Sequence, residues 1–107
     1  MMDAREKRLA RNETFFRDAN ELMAREAAGR ASRHATFLCE CSSEGCVDRI
    51  ELPLSMYERI RSNAEWFVLK PGHEAPSVEI VVERLPGYFV VEKQGTAGAI
   101  SRSTDPR

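Results

Sequence analysis

Three cysteines and one histidine are the residues of this chain whose types and spacing are suited to chemistry. The cysteines stand in Cys39-Glu40-Cys41-Ser42-Ser43-Glu44-Gly45-Cys46, a C-x-C-x4-C run, and the histidine in Pro71-Gly72-His73-Glu74. Three thiolates and an imidazole are the soft and borderline donors that zinc takes up in a tetrahedral site, so Cys39, Cys41, Cys46 and His73 form a candidate Cys3His metal site. Side chains alternate faces along an extended segment, which points Cys39 and Cys41 the same way. Gly45 then lets the chain turn back so that Cys46 meets them. Pro71-Gly72 suits the centre of a type II turn, glycine accepting the positive φ, and His73 leaves that turn. His34 or a water is the substitute for it as fourth ligand. The competing reading, cysteines as small buried hydrophobes, suits isolated cysteines better than a clustered trio.

A [2Fe-2S] cluster is the alternative cofactor to Zn2+. The run from Cys39 to Cys46 partly resembles the CDGSH-type iron-sulfur domains, in which the third cysteine stands further from the second and a histidine follows almost at once. Here Val47-Asp48-Arg49 follows Cys46 and His73 is distant, so no residue role is carried over. A catalytic reading makes Glu74 a general base beside a metal-bound water. No Ser/His/Asp arrangement, glycine-rich phosphate loop or second acidic cluster accompanies it, and the expectation is a closed structural site rather than an enzyme.

The elements that must position these donors follow from periodicity. From Asp3 to Ala28 nearly every residue is a good helix former, with Leu9, Phe15, Phe16, Ala19, Leu22, Met23 and Ala27 at helical spacings. This predicts one long amphipathic helix, capped by Asp3 and ended by Gly29, whose Phe15 and Leu22 cover a sheet while Asn12 and Asn20 are solvated. A partner-binding or dimerising helix is the functional alternative. Thr36 to Cys41 and Val47 to Leu52 alternate as strands of a hairpin whose turn carries the cysteines. Ser55-Met56-Tyr57-Glu58 matches a capping box for a short helix to about Asn63, with Arg59 and Arg61 outside. Trp66 to Leu69, Val78 to Glu83 and Tyr88 to Lys93 are three more strands, the last two a hairpin through Leu85-Pro86-Gly87. Glycine, serine and threonine then dilute the apolar content. The expected fold is α+β, ordered α-β-β-α-β-β-β, with one small, mostly antiparallel, metal-stabilised sheet. Residues 1–30 form the leading helix, 36–93 the zinc-binding domain and 94–107 a flexible tail.

The 107 residues are 42% hydrophobic and 31% charged, the balance of one soluble domain with a modest core, to which a metal cross-link would contribute usefully. No segment has the pattern of a signal peptide or a membrane span, so the expectation is a cytoplasmic protein whose thiols serve as ligands rather than disulfides. A net charge of -1 gives no general pull toward nucleic acid or an anionic membrane. Arg5, Lys7, Arg8, Arg11 and Arg17 are the residues a nucleic-acid-binding helix would use, but Glu6, Glu13, Asp18 and Glu21 are interleaved with them.

F-x-C-E-C, the third cysteine, a helix beginning near Tyr57, Pro-Gly-His-Glu and a closing Val-Val-Glu-Lys strand together resemble an uncharacterised family of small bacterial proteins of actinobacterial type, over Asn12 to Lys93. The resemblance implies one compact domain and no particular activity. The expected function is that of a small zinc-binding protein that acts as a protein-protein interaction or regulatory module, with a protein partner or a second copy engaged by the N-terminal helix.

Overall fold

Alternation and helical spacing yield eight elements, in a computed structural model that describes residues 4–30, 33–43 and 45–107, with side chains from residue 13 onward. The order is α1 (Ala4–Gly29), β1 (His34–Leu38), β2 (Arg49–Pro53), α2 (Leu54–Arg61), β3 (Trp66–Leu69), β4 (Glu79–Leu85), β5 (Tyr88–Lys93) and α3 (Gly95–Ser103). The class is α+β as expected. The expected cap Asp3 lies outside the described residues, and Gly29 is the last helical residue rather than a left-handed one.

The strands form two sheets instead of one. β1 and β2 pair antiparallel with Phe37 opposite Ile50, and the other sheet runs β3-β5-β4, all antiparallel. The ladder breaks between them because only the Glu40 N–H reaches the Val68 carbonyl (2.8 Å), while the Val68 N–H donates to the Glu40 side chain (2.9 Å) instead of a carbonyl. Between the sheets and α2 lies the apolar core of Phe37, Leu52, Tyr57, Ile60, Phe67, Val68 and Val90, with the Phe37 and Tyr57 rings stacked 4.2 Å apart. No capping box forms. α2 starts one residue before Ser55, its N-cap is Pro53, and the Leu54 N–H is satisfied by the Arg33 carbonyl (2.8 Å).

α1 presents to the body the face opposite to the expected one. Phe15 and Leu22 are 67% and 62% exposed, whereas Glu13, Arg17, Asn20 and Glu21 are buried with Ala24 and Ala27. The polar face turns inward because each of its groups meets a partner. Glu13 and Glu79 hold the Lys93 ammonium between them. Arg17 donates to the carbonyls of Ala64 (2.9 Å) and Ser101 (3.2 Å) and stacks over the Phe67 ring. Asn20, instead of being solvated, donates to the Leu38 carbonyl and accepts from the Leu38 N–H (both 2.8 Å). Glu21 accepts from Arg61, which is buried instead of solvent-facing and also pairs with Asp105. Burial without such partners would be prohibitive for charged groups. Burial pushes the Glu79 carboxyl up to about 7. Burial also pulls the Lys93 ammonium down toward about 7, and the two carboxylates touching it oppose that pull.

Residues 94–107, expected to be a flexible tail, contain α3 and a closing strap. The small residues Ala97, Gly98 and Ser101 are buried, and the Ser101 hydroxyl donates to the Ala97 carbonyl (2.8 Å). Arg107 then forks onto Glu58 (2.8 and 3.1 Å) and reaches Glu21 (3.0 Å). The low apolar content misleads because this segment is retained by charge as much as by burial. A chain ending at Gln94 is expected to lose about 3 kcal/mol of stability in urea unfolding, because Arg61 loses Asp105 and Arg17 loses the Ser101 carbonyl and the Thr104 hydroxyl. Unchanged stability would mean that α3 and the strap contribute nothing to the fold.

Candidate metal centre

The Cys-Glu-Cys segment leaves β1 in extended conformation, and its alternation divides it between two environments. Cys39 and Cys41, both buried, face one way. Glu40, fully buried, faces the other, where its carboxylate accepts from the Val68 N–H, the Asn20 amide (2.9 Å) and the Tyr57 hydroxyl (2.9 Å). Burial raises the Glu40 pKa against the pull of those three donors. Gly45, at φ 78°, reverses the chain and returns Cys46 to the first two thiols. On the far side β3 ends in a turn closed by the His73 N–H on the Lys70 carbonyl (3.0 Å), with Gly72 at φ 90°, and this delivers the imidazole.

Cys39, Cys41, Cys46 and His73 thus converge, their donor atoms all within 4.8 Å of one another. This is a grouping that can hold a metal ion. The His73 Nδ1 lies 3.5 Å from the Cys39 sulfur and 3.7 Å from that of Cys46, a near-equal pair of distances that suits a shared cation better than one hydrogen bond. His34 does not belong to the group. It opens β1 opposite Pro53, at the other end of the strand from Cys39.

Main-chain donors point at all three sulfurs. The Lys70 N–H donates to the Cys39 sulfur (3.2 Å), and backbone amides of Ser43 and Asp48 do the same for Cys41 and Cys46. Hydrogen bonding from Cys39, with Ser43, Cys46 and His73 contributing, holds Cys41 down at about 4. Cys39 is correspondingly raised, first by its hydrogen bond with Cys41 and then by burial, and burial raises Cys46. One negative charge is therefore accommodated readily and three only with a cation among them. The donor set fits a metal on chemical grounds.

Sequence reasoning missed Asp48. Its carboxylate lies 3.6 Å from the Nε2 of His73, on the ring edge away from the sulfurs, longer than a hydrogen bond but placed to favour the tautomer that leaves Nδ1 free to coordinate. Its position two residues after Cys46 was the available signal. Glu74 has one buried oxygen without a hydrogen-bond partner among the described residues, and it is not part of the converging group. No family model, curated protein or solved structure matches this chain. Geometry and donor chemistry therefore carry the functional reading.

A chelator-competition titration tests the assignment of the imidazole. His73→Ala is expected to release metal far more readily than wild type, Asp48→Ala about tenfold more readily, and His73→Cys to retain it. Wild-type retention by His73→Ala would make His73 a turn residue only.

Proposed function

We propose that this protein is a zinc-binding protein whose metal is structural, and that it serves as a protein-interaction module presenting the outer face of α1. The observation that carries the zinc reading is the pair of sulfur-to-nitrogen distances, 3.5 and 3.7 Å. With Zn–S of about 2.3 Å and Zn–N of about 2.0–2.1 Å, the S···N edge of a tetrahedron is about 3.5 Å. A [2Fe-2S] cluster needs its ligands divided between two irons, whereas these donors gather around one point. Four protein donors fill a tetrahedral shell, the pattern of structural sites, since catalytic zinc keeps a position open for water or substrate. Bound there, zinc would tie the β1–β2 connection to the turn after β3.

Support for an interaction role comes from the exposure of Phe15 and Leu22 on a helix that packs on the body through its opposite face, Glu13, Arg17, Asn20 and Glu21. A nucleic-acid role draws less support. Arg17, one of its five basic residues, is buried against Phe67 and hydrogen-bonded to main chain, and the side chains of the other four lie outside the described residues. No helix among the described residues is long and apolar enough to cross a membrane.

Elemental analysis by mass spectrometry of protein purified without added metal is expected to find about one zinc per chain, absent from Cys41→Ser. Chelator should lower the melting temperature of the wild type and leave that of Cys41→Ser unchanged. A metal-free wild type indifferent to chelator would overturn the proposal.

A further inference from the structure

The outer side of α1 carries a ridge built on a seven-residue repeat. Phe15, Leu22 and Gly29 lie along it, each successive residue about 20° short of two full turns, the drift that lets two helices cross at a shallow angle. Asp18 and Arg25, both exposed, border one side, and neither makes an ion pair among the described residues. Ala19 and Glu26 border the other side.

We infer that this ridge is a self-association surface on which a second copy of the chain packs antiparallel, about a two-fold axis near Leu22. This rests on the reading of α1 as an interaction surface and names its occupant. The ridge is self-complementary. Asp18 precedes Leu22 by four positions and Arg25 follows it by three, so an antiparallel copy centred there sets Asp18 against Arg25 and Arg25 against Asp18. The same operation places Leu22 beside Leu22 and Phe15 over Gly29 of the second copy. Gly29 suits that contact, because no atom lies within 4 Å of where its Cβ would be, leaving open space for a ring. The ridge from Phe15 to Gly29 is only about 21 Å long, so the dimer is weak and concentration-dependent.

Charge reversal tests the geometry without touching the face of α1 that packs on the body. In sedimentation velocity over a concentration series, wild type should shift from monomer to dimer. Asp18→Arg and Arg25→Asp should each weaken association roughly tenfold, since each brings like charges together twice. An equimolar mixture of the two variants should restore it. Across the mixed pair, the arginine introduced at position 18 faces the aspartate introduced at position 25, and the unaltered Arg25 of the first variant faces the unaltered Asp18 of the second. Unchanged association of either variant, or no recovery on mixing, would overturn the antiparallel pairing. A wild type that is monomeric at every concentration overturns self-association. If that monomer still binds the apolar dye ANS and Leu22→Asp does not, the ridge remains an interaction surface for another occupant. If wild type binds no dye, the interaction reading falls with it.

Discussion

The carboxylate of Glu40 is the contact on which the remainder of the structure depends. It is fully buried and accepts three hydrogen bonds, one each from β3, α1 and α2. A buried carboxylate so supplied with donors is tolerable; stripped of them it would be among the most costly groups in the chain. Because Glu40 stands between Cys39 and Cys41 on an extended segment, fixing it fixes the direction of both thiols. One backbone pleat therefore serves two functions, aiming sulfur toward His73 on one side and joining three elements on the other.

Around that contact the protein is held together to a large extent by polar groups. Among the described side chains, the inner face of α1 is joined to the body through Lys93, Arg61, the Glu40 carboxylate and main-chain carbonyls, with Met23, Ala24 and Ala27 as its apolar contacts. Buried pairs of this kind add little net stability compared with apolar packing, but the loss of one partner is severe, which makes the docking of α1 specific in register and orientation. The apolar ridge left outside is the complement of that arrangement: with Glu13, Arg17 and Glu21 committed inward, Phe15 and Leu22 face outward between exposed Asp18 and Arg25 on one side and Glu26 on the other.

The metal site is legible in the sequence because its signals are local. C-E-C alternation, Gly45 and the Pro71-Gly72 turn each act over a few residues, and together they bring His73 to the cysteines across the fold. The hairpins are legible for the same reason. The orientation of α1 is not, since hydrophobic spacing picks out Phe15 and Leu22, whereas the buried face is chosen by Lys93, Arg61 and Glu40, distant in sequence and individually inconspicuous there. The last segment misleads for a related cause. Composition measures apolar content, whereas residues 94–107 are held by Arg17 on the Ser101 carbonyl and the Thr104 hydroxyl, by Arg61 on Asp105 and by Glu21 on Arg107. The capping-box pattern at Ser55 fails because Pro53 ends β2 and starts α2 in one step, which leaves Ser55 already inside the first turn.

The coupling of Glu40 to the thiols is most directly tested by the metal affinity of Glu40→Gln, measured by chelator competition with helix content checked by circular dichroism. Glutamine keeps the shape but offers one acceptor oxygen and turns an NH2 group toward donors, so the segment can no longer be held as it is. Metal binding is expected to weaken by about ten- to a hundredfold in a variant that changes no ligand, the range found when groups supporting a metal's ligands are removed. A folded Glu40→Gln protein with wild-type affinity would contradict it.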